Sequence, residues 1–177
     1  SLFSLLLARY ANETDIVVGS PVANREQVEV ADLIGFFVNT LVLRCTFPKK
    51  EETILTFERL LAQSKTTLLD AYDHQQVPFE QLVEVLQPRR CTSHSPLFQV
   101  MLILHNFPPG QNQGQRQQFT LPGLTATPLN RTTVVAQYDL TLNISESEQG
   151  LALEWIYNSD LFYPATIERL ASHFAAL

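Results

Sequence analysis

With 177 residues, 45% of them hydrophobic and 17% charged, the chain can bury one core without disulfide or metal staples, which excludes disorder as its main state. Its 12 basic residues against 18 acidic ones, with lysines only at 49, 50 and 65, exclude broad electrostatic binding to nucleic acid or to an anionic membrane. Cys45 and Cys91 are far apart and form no C-x-x-C pair, so neither a disulfide framework nor a zinc site is expected, and a reducing, cytoplasmic setting is. No apolar run approaches the roughly 18 to 20 residues of a membrane span, and no secretion-type leader opens the sequence. The triplets beginning at Asn12, Asn130 and Asn143 are therefore read as chance matches to a glycosylation signal.

Ser1 to Tyr10 reads as an apolar helix already under way, as if the chain begins inside a larger domain, and Asn12 and Thr14 break it. Asp15 to Gly19 reads as a short buried strand stopped by Gly19 and Pro21, and the polar run Asn24 to Glu29 as a loop. Val38 to Phe47 alternates as a strand, with Leu41, Leu43 and Cys45 on one face and Val42 and Arg44 on the other. After a solvated turn at Lys49 to Glu52, Ile54, Phe57, Leu61, Leu68 and Tyr72 form the core stripe of a long helix, widened by Leu60 and Leu69 and capped by Thr53 or Thr56. Pro78 opens a second helix, Phe79 to Leu86, which Pro88 closes. Leu97 to Leu104 is nearly all apolar, as a central strand covered on both faces would be.

Pro108 to Gln118 has no apolar anchor and reads as a mobile surface loop. Leu140, Leu142 and Ile144 alternate with polar residues. Leu151, Leu153, Trp155 and Tyr157 do the same after a turn ending at Gly150, so the two runs predict a hairpin. Pro164 starts a last helix with Ile167, Leu170, Ala171 and Phe174 on one face. Strands and long helices sharing one core predict a mixed α/β fold, a mixed β-sheet with helices packed against it.

Generic chemistry is absent. His74, His94, His105 and His173 are never spaced as metal ligands, and the chain has no G-x-S-x-G, P-loop or G-x-G-x-x-G pattern. Cys45, in an apolar strand, reads as a small buried hydrophobe. Four segments read together carry more: Ile34-Gly35-Phe36-Phe37-Val38-Asn39-Thr40 leading to Arg44, His74-Gln75-Gln76-Val77-Pro78-Phe79-Glu80, Arg89 to Pro96 running into Leu97-Phe98-Gln99-Val100, and Asp160-Leu161-Phe162. With Val18 to Arg25 and Tyr138 to Leu142, their order and spacing resemble the second half of a non-ribosomal peptide synthetase condensation domain. Gln76 stands where the family has Asp, and Arg90 to Ser95 lacks the usual Asp and second Arg.

The resemblance implies a chloramphenicol-acetyltransferase-like C-terminal subdomain over residues 1–177, with 107–135 as a loop and a latch crossing to an N-terminal subdomain. It implies half of a tunnel in which two aminoacyl or peptidyl thioesters, carried on the phosphopantetheine arms of peptidyl carrier proteins, are joined by an amide bond. The family's HHxxxDG motif occurs nowhere in the sequence. No catalytic residue is therefore expected here, no cofactor or metal is bound directly, and the separate piece is expected to be inactive. The expected partners are the missing N-terminal subdomain, the carrier proteins, an adjacent adenylation domain and, through surface left bare, a second copy of the piece. A non-catalytic docking subdomain, or half of an epimerisation or heterocyclisation relative, is the alternative.

Asn39 and Arg44 are the candidates for the tunnel or the subdomain junction, either bracing loop carbonyls or a carboxylate or touching substrate. Asp139 is the candidate for a supporting group facing the tunnel. His74, Pro78, Glu80, Ser95 and Pro96 read as structural. His74 bonds late helix carbonyls, Pro78 opens a helix whose positive end Glu80 faces, and Ser95-Pro96 sets an extended approach to the central strand.

Overall fold

The computed structural model describes residues 1–25, 28–31, 33–48, 55–89, 94–105, 120–121, 124–125, 134–147 and 150–177. Helix α1 (Leu2–Ala11) ends where Asn12 adopts φ 54°, a left-handed cap whose N–H returns to the Ala8 carbonyl. Strand β1 (Asp15–Val22), a short helix α2 (Val28–Ala31) and strand β2 (Asn39–Thr46) follow. Helices α3 (Phe57–Asp73) and α4 (Phe79–Leu86) lead to β3 (Val100–His105), a small two-stranded ladder of β4 (Thr120–Leu121) and β5 (Leu124–Thr125), the hairpin β6 (Leu140–Ser147) and β7 (Gly150–Tyr157), and α5 (Pro164–Ala176).

Five strands form one mixed sheet in the order β2-β1-β3-β6-β7. The outer pairs are antiparallel, and β3 lies parallel to both neighbours. One face carries Ile16 and Val18 of β1 and Leu140 and Leu142 of β6, buried beneath Phe3 and Ala8 of α1 and Ile167 of α5. Phe3, Trp155 and Phe174 meet edge to face at centroid distances of 5.9, 6.2 and 5.9 Å, locking α1 to α5 over β7. Each fully buried aliphatic side chain contributes roughly 1.5–3 kcal/mol, so this layer holds the sheet to its helices.

Several expectations change. β1 does not stop at Gly19 or Pro21 but runs to Val22, because β2 supplies partners along its whole length, up to Pro21 against Thr40 and Val22 against Asn39. Val28 and Glu29 belong to α2 rather than to a loop. α3 is capped by Thr56, whose Oγ1 accepts from the Arg59 N–H at 3.3 Å, yet its expected core stripe faces outward. Leu60 is 1% exposed while Leu61 is 53% exposed, and Phe57, Leu69 and Tyr72 also lie open. The inner face is instead Leu60 with the half-buried Gln63, Ser64, Thr67 and Ala71, small or polar residues that allow a close approach to β2; Gln63 donates to the Thr46 carbonyl at 2.8 Å. Finally, β3 begins at Val100 and is not covered on both faces along its length: Leu104 is exposed and Ile103 half-buried. The turn at Lys49 to Glu52, Thr53, Ile54, Cys91, the loop Pro108 to Gln118 and most of the latch lie outside the described residues.

Candidate functional site on the open sheet face

The face of the sheet turned away from α1 and α5 is assembled from cross-strand rows. Gly19 pairs with Val42 on one side and Met101 on the other, Met101 pairs with Thr141, and Thr141 pairs with Ile156. In the next row Pro21 lies opposite Thr40, and Asn143 lies between Ile103 and Glu154. Residues of these two rows, Met101, Ile103, Thr141 and Asn143 among them, floor a groove of about 330 Å³, rimmed by Phe36, Val38, Val135 and Tyr138. It lies toward the carboxyl end of β1 but toward the amino ends of β3 and β6, where Met101 and Thr141 are each the second residue of their strand. Asn143 donates its amide N–H to Glu154 Oε2 at 2.8 Å, which fixes the orientation of that amide.

Two devices that lie outside the sequence candidates shape the groove. Arg25 donates to the carbonyls of Val30, Leu33 and Gly35 at 2.9, 2.6 and 2.9 Å, and its guanidinium lies 4.4 Å from the centre of the Phe37 ring. The connection between β1 and β2 is thereby held with Ile34 and Phe36 almost wholly in water. The second device is an aromatic stack. Phe98 is buried between Phe79 at 5.7 Å and Tyr138 at 5.4 Å, with its ring over Gly19, where a Cβ would come within 2.3 Å of it. An Arg followed by an apolar loop, and a strand glycine followed much later by a lone Phe, were the signals available.

The sequence candidates are placed differently. Asn39 donates to the carbonyls of Gln75 and Val77 at 2.7 and 2.8 Å and accepts from the Phe79 N–H at 3.3 Å, so it ties β2 to the α3–α4 connection. Arg44 does brace a carboxylate, but one on the neighbouring strand: its Nε and Nη2 grip Asp15 at 2.9 and 2.7 Å. Those bonds hold the Asp15 carboxyl below the usual carboxylate range. Neither side chain lies in the groove wall. Asp139 is half-buried beside Tyr138; its N–H donates to the Gln99 carbonyl and its carbonyl accepts from Asn158, each at 3.0 Å.

His74 caps α3, its Nδ1 2.8 Å from the Asp70 carbonyl, and Pro78 precedes α4 with Glu80 in the first turn. Ser95 accepts at its carbonyl from Gln99 Nε2 at 3.1 Å, and Pro96 follows it ahead of β3. Cys45 is buried under α1 and α3, and burial pushes its thiol up from the usual value, the opposite of an activated nucleophile. No helix among the described residues is long and apolar enough to cross a membrane.

Comparison with known proteins decides the family. The family model described as "Condensation domain" matches residues 1–177. The chain belongs to the condensation-domain family. It is 45% identical over 175 residues to one of the linear gramicidin synthase proteins of Brevibacillus parabrevis, covering 99% of this chain and 2% of that protein. Bacitracin synthase 3 of Bacillus licheniformis is 39% identical over 171 residues, which is 97% of this chain and 2% of the relative. The condensation-domain chain thus spans only a small fraction of the curated relatives it matches. Among solved structures it superposes on a four-domain nonribosomal peptide synthetase bound to AMP and glycine with a TM-score of 0.81 at 24% identity, covering 98% of this chain and 14% of that one. The X-domain from teicoplanin biosynthesis gives 0.79 at 24% identity, covering 98% and 38%. The mixed five-stranded sheet with its helices is therefore the fold of condensation domains of the chloramphenicol-acetyltransferase-like kind.

Proposed function

We propose that this chain is the C-terminal half of an amide-bond-forming condensation domain and that its open sheet face is one wall of the tunnel in which two carrier-bound thioesters meet. The observation that carries the reading is the asymmetry of the sheet. One face is sealed by α1 and α5, while the other presents a groove with apolar residues such as Phe36 and Val135 bare at its rim. Apolar surface of that kind marks a place where another element packs.

In the reaction, the acceptor amine nitrogen bonds to the donor carbonyl carbon, the carbon–sulfur bond breaks, and the donor pantetheine thiol leaves with the proton lost by the amine. Such a step asks for alignment of two tethered groups and stabilisation of a transient oxyanion, not for a protein nucleophile. This half supplies a shaped wall, with no charged side chain among its described lining residues, and the bracing behind it: Arg25 for the rim, Asn39 for the β2–α4 junction, Phe98 for Tyr138. The group that moves the proton belongs to the HHxxxDG-bearing half.

The test is complementation. The chain alone, given donor- and acceptor-loaded carrier proteins, is expected to form no dipeptidyl thioester. With a separately produced N-terminal half it is expected to form that product. Product from the chain alone, or assembly of the two halves without product, would overturn the reading, the latter in favour of a docking subdomain.

A further inference from the structure

Helix α4 has no fully buried residue, so packing alone gives it little purchase on the rest of the molecule. Its start is held instead from β2. Pro78 stands at the N-cap and offers no side-chain acceptor, which leaves the Phe79 N–H without a partner inside the helix. Asn39 Oδ1 accepts from that N–H at 3.3 Å, while the same amide donates to the Gln75 and Val77 carbonyls at 2.7 and 2.8 Å. One half-buried side chain thus fixes both the approach to α4 and its first residue. The ring of that residue, Phe79, meets Phe98 at 5.7 Å with the planes at 66°. Phe98 has no room to retreat: it fills the space over Gly19 and meets Tyr138 at 5.4 Å. The backbone is tied at the same place, because the Asp139 N–H donates at 3.0 Å to the carbonyl of Gln99, the residue after Phe98. Tyr138 lines the groove, whereas Asn39, Phe79 and Phe98 do not, so whatever these three do there passes through Tyr138.

Resting on the reading of this face as a tunnel wall, we infer that Phe98 is a positioning residue for amide-bond formation, holding the Tyr138 ring in the wall, and that Asn39 sets the place of Phe98 through the seat of Phe79. The three residues form one relay from the start of α4 to the groove. Its effect falls on alignment rather than on capture of substrate, because carrier-bound thioesters are tethered and a small displacement of the wall misaligns them without releasing them.

The experiment uses the complete domain, this chain joined to its N-terminal half, with chemically loaded donor and acceptor carrier proteins. Phe98→Leu is expected to lower kcat by about tenfold while KM for the loaded carriers stays within about twofold. Tyr138→Leu is expected to do the same. Combining the two should cost no more than about twofold beyond Tyr138→Leu alone, since Phe98 then has no ring left to place. A fluorotyrosine at position 138, read by fluorine NMR in the folded domain, reports the ring directly. Its resonance is expected to move in Phe98→Leu, Asn39→Ala and Phe79→Leu, and to return toward its original position in Phe79→Tyr, which keeps the ring. Phe79 is half-buried, so its variants read the relay even should substitution of the buried Phe98 prevent folding. A resonance unmoved by Asn39→Ala and Phe79→Leu, or losses from Phe98→Leu and Tyr138→Leu that simply multiply, overturns the inference while leaving the tunnel-wall reading intact. Absence of product from the unsubstituted domain overturns that reading and the inference with it.

Discussion

Gly19 is a glycine for reasons of space rather than of backbone conformation. A methyl group at this position would lie 2.3 Å from Cε2 of Phe98, closer than real carbon atoms approach, and the ring is held from its other sides by Phe79 and Tyr138. Gly19→Ala should therefore cost about 1–3 kcal/mol by overpacking, read as a lower denaturation midpoint. Trimming the ring by Phe98→Leu should return part of that loss in the double variant; strictly additive effects would show that the two positions do not share the space. The Asp15–Arg44 pair makes a different prediction. The folded carboxyl titrates lower than in the unfolded chain, where about 3.9 is usual. The unfolded state thus binds the proton more tightly, so the stabilisation is complete above that value and is lost as pH falls through the folded one. Replacing Asp15 by Asn should flatten the acid limb of stability against pH below about 4. Neutral stability should barely move, because both groups are largely in water and screened. An acid limb unchanged by the substitution would remove the pair from the account.

At the scale of elements, α3 offers the sharpest contrast. Leu60→Ala should cost about 2–5 kcal/mol, while Leu61→Ala, one residue on, should stay within about 0.5 kcal/mol. The opposite order in urea titrations would mean that the apolar stripe, not the Leu60 face, meets the sheet. The helix itself was legible from spacing and from Thr56, but its buried side was not. Ser64, Thr67 and Ala71 permit a close fit to β2 without looking apolar, whereas Phe57, Leu61 and Tyr72 look like a core and lie outside it. The β6–β7 hairpin and α5 could be read directly because their alternation and their Pro164 start agree with the packing they adopt. Gly19 and Pro21 misled because a strand with a partner along its length outvotes local breakers. The candidate site was less legible for a related reason. Its floor draws one or two residues from each of five strands, and Arg25 and Asn39 act on backbone carbonyls that no side-chain pattern announces.

For the whole molecule, the sealed face and the open face lead to opposite behaviours in water. Ile34, Phe36, Val134 and Val135 leave apolar area bare on the side that the proposed N-terminal half would cover. The isolated chain should therefore self-associate through it. Light scattering over a concentration series should give a mass above 20.0 kDa that rises with concentration and falls back when Val134 and Val135 are both replaced by Asp. A mass of 20.0 kDa at every concentration would reject association.

The position of β3 also dictates how the chain can reach this structure. The β6–β7 pairing is a short hairpin and the β1–β2 pairing closes a single modest loop, so each can form from nearby residues. Neither touches the other: every strand-to-strand bond between the two halves of the sheet passes through β3, which pairs in parallel with β1, far behind it in the chain, and with β6, well ahead. Parallel pairing of distant segments must meet the entropy of closing long loops before any contact rewards it. The sheet should thus assemble as two early antiparallel ribbons that wait, unjoined, for one strand to arrive between them. Until it does, both ribbons expose the backbone edge that β3 will occupy, and that interval is when a nascent chain is most open to pairing with the wrong neighbour.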